Sequence, residues 1–246
     1  MKSCSDKVIR IALMLGSASL VLSATSLLAA DGSATAPATG SGSATAPVTG
    51  SGSATAPIVG NGTSGFYLGM DLGLNVASDL TENIPDVGSG SISQYPGLRL
   101  DISAGYAFKL SDQFTLAPEV EVGVMVNALN EASVPGAGTA SVQGYFTQVP
   151  LMVNGVLNWQ FDPNWDAYVG AGVGRDYMSL DITSVAGEST SITGSESDAA
   201  WQFMLGIQYK YGSSELGLGY KYLAVQPSGM STVGNSAILL CYVVHF

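Results

Sequence analysis

Charge is the first thing this chain lacks. Only 11% of its 246 residues are Asp, Glu, Lys or Arg, less than half of the roughly 25% usual in soluble globular domains. With 46% hydrophobic residues beside so little charge, a disordered chain is excluded. Basic residues are scarcer still: eight Lys and Arg face nineteen Asp and Glu, for a net charge of −11. That balance excludes a nucleic-acid partner, which needs a basic footprint to displace counterions from phosphates. Long apolar runs are missing too. Mean hydropathy is +0.30, yet beyond residue 30 no stretch reaches the roughly 18 apolar residues of a membrane helix. A helical bundle in lipid is excluded, which leaves a membrane β-barrel or an unusually apolar secreted β-protein.

What is present begins with an export signal at residues 1–30. Lys2, Lys7 and Arg10 precede an apolar stretch at 11–28, and small residues follow at Ala29, Ala30 and Gly32. That order is a secretory signal, with cleavage expected between 24 and 34 and an uncleaved anchor as the alternative. Its removal leaves five basic and eighteen acidic residues, a net charge of −13. Of the two cysteines, Cys241 then remains as a small apolar filler, without a partner to record an oxidising compartment. Residues 32–41, 42–51 and 52–61 read GSATAPATGS, GSATAPVTGS and GSATAPIVGN. A ten-residue unit of Gly, Ser, Thr, Ala and Pro builds no core. Its Ala-Pro pairs favour extended backbone and its Gly-Ser joints are flexible. Residues 31–64 therefore read as a disordered linker, with a cell-wall contact or a glycosylated tract as alternatives.

From residue 65 onward apolar residues alternate with small or polar ones at period two, the signature of strands. In GFYLGMDLGLNV, Phe66, Leu68, Met70, Leu72, Leu74 and Val76 share one face and Tyr67, Gly69, Asp71, Gly73 and Asn75 the other. Eight such segments follow one another to the terminal Phe246. Three connections, at 111–113, 162–164 and 212–214, are hairpin turns. Four others, near 78–94, 128–143, 180–197 and 226–234, read as long loops rich in Gly, Ser and Thr. Short turns at one end and long loops at the other are the layout of an outer-membrane barrel. Phe108, Phe114, Trp159, Phe161, Trp165, Tyr209, Tyr211 and Phe246 crowd the short-turn ends, as an interfacial girdle would. A soluble barrel would turn its large apolar residues inward and need a charged exterior, and this chain has too few charges to make one. The fold class expected is all-β: an eight-stranded antiparallel transmembrane up-and-down barrel at 65–246, with both termini periplasmic.

The opening GFYLGMDLG, the DAYVGAGVG segment after a Pro turn and the ending AILLCYVVHF resemble the opacity/OmpA-type family of small eight-stranded outer-membrane barrels over about 65–246. The resemblance implies an architecture rather than a molecular activity. It also implies that Phe246, with Tyr242 and Val244 at alternate positions before it, is the signal read by the barrel-assembly machinery. Outer-membrane lipid, that machinery and periplasmic chaperones are then the expected partners, and no cofactor is expected.

An eight-stranded barrel has an interior just wide enough for side chains. The inward rows hold Asp71, Arg99, Asp101, Lys109, Glu119, Glu121, Asp166, Lys210, Glu215 and Lys221. Opposite charges enclosed there must pair. They form either a salt-bridged plug that fixes the barrel or a narrow ion path gated by rearranging the pairs. Arg175, of outward parity, marks either a bulge or the outer interface. Catalysis is not expected: the sole histidine, His245, sits at the chain's end with no GxSxG elbow near it. Asp79, Glu82 and Asp86 lack the alternating pattern of a calcium loop, so no metal site is expected either. The long loops carry acids and no Lys or Arg. An extracellular ligand would have to be held there by strand-edge pairing or hydrogen bonds, and the sequence names none.

Overall fold

The computed structural model describes residues 64–84, 88–135, 138–227 and 231–246. The expected signal, and the linker apart from Ser64, lie outside the described residues. Ten strands follow in chain order: β1 (Gly65–Ala77), β2 (Leu80–Ile84), β3 (Gly88–Gln94), β4 (Gly97–Lys109), β5 (Phe114–Val134), β6 (Gly138–Asp162), β7 (Trp165–Val185), β8 (Glu188–Tyr211), β9 (Ser214–Val225) and β10 (Val233–His245). Eight of them close an antiparallel ring, β1-β4-β5-β6-β7-β8-β9-β10, with β10 returning to β1. The closing seam pairs Leu68 with Val244 and Met70 with Tyr242. The Phe246 N–H donates to the Phe66 carbonyl at 2.9 Å. Closure matters because an open sheet edge in lipid leaves backbone groups without partners.

The alternation read from the sequence sorts the wall. Leu72, Ile102, Val120, Val153, Ile207 and Leu218 stand exposed on the outside, whereas Arg99, Glu121, Asn154, Gln202 and Lys221 are buried inside. A water-soluble protein does the reverse, since so much contiguous apolar surface is not left to solvent. Aromatic pairs ring the short-turn end: Phe66 with Tyr106 at 4.8 Å between centroids, Trp159 with Phe161 at 5.7 Å and Trp165 with Tyr209 at 5.1 Å. Trp201 and Tyr222, 5.6 Å apart, stand toward the other end.

Three of the four connections read as long loops are corrected by the structure. Residues 128–134 continue β5 and residues 138–143 belong to β6, the two pairing as far as Val134 and Gly138. Residues 180–197 continue β7 and β8 up to a two-residue turn at Ala186 and Gly187, whose φ angles are 53° and 84°. Residues 78–94 carry the β2–β3 hairpin, which docks on β5 through Ser91, Ile92 and Gln94. The physical reason is a change of phase. Alternation persists, but apolar residues now point inward and Ser, Thr and acids outward. Leu129, Val134, Val142, Phe146, Leu180 and Ile182 meet Leu80, Ile92, Leu223 and Val233 in one buried apolar cluster. Beyond the bilayer the wall faces water on its outside, so its pattern becomes that of a soluble sheet. High Ser, Thr and Gly content concealed strands whose buried face is oily.

Candidate functional site

The lumen is the candidate site, and it is built in layers. At mid-height the inward rows of six strands deliver an ionic network. Arg99 on β4 is fully buried; its Nε donates to both oxygens of Asp101 at 3.0 and 2.8 Å, and its Nη2 lies 3.3 Å from Glu121 Oε1 and from Gln202 Oε1. Lys221 on β9 spends its three donors on three carboxylates. Its Nζ stands 2.8 Å from Asp71, 3.0 Å from Asp101 and 2.8 Å from Glu121. Neutral groups complete the layer. Asn154 donates to Glu119 at 2.8 Å, Gln202 to Asn154 at 2.8 Å, and the Tyr67 hydroxyl to Glu119 at 2.7 Å. Gly105 makes room for that tyrosine, since a Cβ there would stand 2.5 Å from its ring.

This layer ties β1, β4, β5, β6, β8 and β9 together across the barrel. Taking these charges out of water is costly, and the cost is met only because each cation has several acceptors in good geometry. Two cations serve three carboxylates, Asp71, Asp101 and Glu121, and the fourth, Glu119, is held by the neutral donors Tyr67 and Asn154.

Above it lies an amide layer. Asn75 donates to Asn127 at 2.9 Å and to Asn235 at 3.1 Å, linking β1, β5 and β10. Nearby, Gln148 donates to the buried Asp176 at 2.6 Å. The apolar cluster of the strand extensions closes that end. Below the network a vestibule of about 120 Å³ opens toward the short turns, between Thr115, Asn158, Tyr168, Lys210 and Cys241.

Of the expected charges, the structure brings Asp71, Arg99, Asp101, Glu119, Glu121 and Lys221 together. It keeps the others apart. Lys210 pairs with Asp166 at 2.6 Å in the vestibule. Glu215 Oε1 lies 3.1 Å from His245 Nε2, within ion-pair reach of a protonated ring but too oblique for a hydrogen bond. Lys109 stands at the turn rather than in the lumen; it reaches Asp112 at 2.9 Å and holds that carboxyl below its ordinary range. Tyr242 and Val244 sit on the seam with β1, and Phe246 is exposed beside it. Arg175 sits outside the wall in unbroken register with Leu151 and Ala199, so it marks no bulge.

Sequence reasoning passed over the amides Asn154, Gln202 and Gln148, and Asp176. Each has inward parity, which is the signal that finds them. Among the described residues no three His, Cys, Asp or Glu converge to hold a metal. Glu82 and Asp86 of the acidic trio lie among positions whose side chains are not described.

No family model and no curated protein matches the chain. Solved structures do. Neisserial surface protein A aligns with a TM-score of 0.52 at 18% identity, over 75% of this chain and 99% of its own. The outer membrane protein OprG from Pseudomonas aeruginosa gives 0.49 at 11%, over 76% and 98%. Ail of Yersinia pestis gives 0.42 at 12%, over 74% and 99%. The fold is thus that of a small eight-stranded outer-membrane β-barrel. That class agrees with the lipid-facing apolar wall and polar interior described above.

Proposed function

We infer that the chain is an integral outer-membrane protein with a structural or surface-interaction role and a lumen that does not conduct. The observation that carries this is the Lys221 ammonium bound to carboxylates from β1, β4 and β5 at once. A solute would have to break that contact, the Arg99 contacts and the apolar cap in succession. Opening a buried ion pair costs about 3–5 kcal/mol when one partner is left alone, so thermal opening is rare. The aligned Neisserial protein is named a surface protein, in accord with this role. The extended hairpins lie outside the cell and both termini in the periplasm, where chaperones escort the chain and the assembly machinery reads Phe246 with Tyr242 and Val244. No catalysis is assigned, because His245 faces Glu215 at the rim rather than a nucleophile.

Two measurements test the reading. Liposomes carrying the protein should swell in sugar or salt gradients no faster than empty ones; fast swelling contradicts a closed lumen. A cysteine placed at Ser189 should react with an impermeant maleimide on intact cells, while one at Ser213 should not. Cys241 is buried and contributes little background. Labelling at Ser213 alone would reverse the orientation.

A further inference from the structure

Three buried oxygens near the amide layer have no hydrogen-bond partner among the described residues: Oε1 of Gln148 on β6, Oδ1 of Asp176 on β7 and Oδ2 of Asp198 on β8. Their strands bring them together. Asp176 and Asp198 are directly paired across the β7–β8 ladder, so their side chains share the inward face with Cβ atoms about 5 Å apart. Gln148 stands on the other flank of Asp176, and its Nε2 donates to Asp176 Oδ2 at 2.6 Å. That bond fixes the amide's orientation, because only its nitrogen can donate to a carboxylate. Oε1 is therefore the free end. Gln148 and Asp176 are fully buried. Asp198 is only half-buried, which leaves the row a way in.

Like charges directly opposite each other destabilise a ladder, and among the described residues no basic side chain is bonded to this pair. Lys109, Lys210 and Lys221 have carboxylate partners elsewhere. Arg99 lends Asp176 some attraction across the lumen, but its contacts go to Asp101, Glu121 and Gln202. Arg175 precedes Asp176 in the strand and so stands on the opposite face. A buried polar atom without a partner calls for a water, an ion or a proton. A proton shared by the two carboxylates would serve their oxygens and leave Gln148 Oε1 empty. A bridging water donates two hydrogen bonds, one fewer than the three oxygens need, and brings no charge. A divalent cation answers the three oxygens and the paired charge together.

We propose that Gln148, Asp176 and Asp198 bind a calcium ion, with water completing its shell. Calcium takes carboxylate and amide carbonyl oxygens in flexible geometry, whereas magnesium demands a near-ideal octahedron and gives up its water reluctantly. Two of the three protein ligands are acids and the third is a neutral amide, so the affinity expected is that of extracellular calcium modules, about 0.1–1 mM. The ion also fills a structural gap. β7 contributes no side chain to the ionic network at mid-height, and the ion ties it to β6 and β8.

The test uses the full chain in detergent, stripped of metal with EDTA, dialysed into chelator-free buffer and titrated with calcium chloride by isothermal calorimetry. The wild type should bind one ion in that range, and calcium should raise its thermal unfolding temperature. Asp198→Asn removes one of two charged ligands and should weaken binding about tenfold or more. In metal-free buffer the same variant should unfold at a higher temperature than the wild type, because the like-charge pair is gone. Gln148→Glu supplies a third carboxylate and should tighten binding about tenfold. Glu188→Gln, changed in an exposed position beside the hairpin turn, should bind as the wild type does. Heat-modifiable migration on a gel checks that each variant is folded. Unchanged affinity in Asp198→Asn overturns the proposal and assigns the ion to surface acids. A wild type that gains no stability from calcium overturns it too, and a metal-free gain in Asp198→Asn then assigns the pair a shared proton. An equal rise with sodium chloride at matched ionic strength would show charge screening alone, and would overturn it as well.

Discussion

Lys221 and Asp101 lie 120 residues apart in the chain and meet at 3.0 Å in the middle of the lumen. One belongs to β9 and the other to β4, strands that share no ladder. Their contact therefore spans the barrel rather than following its wall. It forms only after the ring is closed, so it reports closure as well as stability.

The first prediction follows from that contact. Lys221→Met removes the cation shared by Asp71, Asp101 and Glu121, and should destabilise the barrel by about 3–5 kcal/mol at neutral pH. Urea unfolding in detergent measures the loss. Stability equal to that of the wild type would mean that the three carboxylates do not depend on Lys221.

Gly105 and Tyr67 yield a second prediction. Gly105→Ala should push the Tyr67 ring off its seat and disturb the hydrogen bond to Glu119, at a cost of about 1–3 kcal/mol. In a Tyr67→Phe background the hydroxyl is gone but the ring still collides, so most of the cost should remain. A double-mutant cycle by chemical unfolding separates the two contributions. Full rescue by Tyr67→Phe would contradict the steric account.

The turn at Ala186 and Gly187 supplies a gain rather than a loss. Both residues have positive φ, a conformation that suits Asn-Gly and strains Ala. Ala186→Asn should stabilise the extension by about 0.5–1 kcal/mol, seen as slower proteolysis between β7 and β8. Faster cleavage would indicate that the hairpin is not formed.

Much of the wall was legible before any coordinates. Period-two alternation placed Val120, Val122 and Val124 outside and Glu119, Glu121 and Gly123 inside, and the three short turns fell where Asp112, Pro163 and Gly212 now sit. The ionic network was half legible. Inward parity gave its members, but parity carries no height, so Lys109 and Lys210 could not be told from Lys221. Height is set by strand tilt and register, which emerge only from pairing between strands. The strand extensions were hidden for a different reason. Leu180 and Ile182 alternate as cleanly as Val169 and Ala171, but with Ser179 and Asp181 on the outer face. Composition favoured loops, because Ser and Thr that face water on a sheet look the same as Ser and Thr in a coil.

Phe246 carries the prediction about assembly. It is exposed in the girdle, so its deletion removes at most one interfacial aromatic, worth about 2 kcal/mol or less. Refolding of the purified deletion variant into detergent should be nearly normal. If the residue is read by the assembly machinery, the same variant should accumulate unfolded in the periplasm of living cells. Normal surface display of the deletion variant would show the residue to be an ordinary anchor.

The central claim is that the lumen is closed, and single-channel recording in planar bilayers addresses it most directly. Inserted wild-type protein should give no steady conductance above the bare membrane. Lys221→Met combined with Arg99→Met, if folded, should show at most brief openings, because the apolar cap of Leu180, Ile182 and Phe146 still covers one end. A steady ohmic conductance in the wild type, abolished or altered in ion selectivity by changing Arg99 or Lys221, would contradict the account and make the charged layer the lining of a pore.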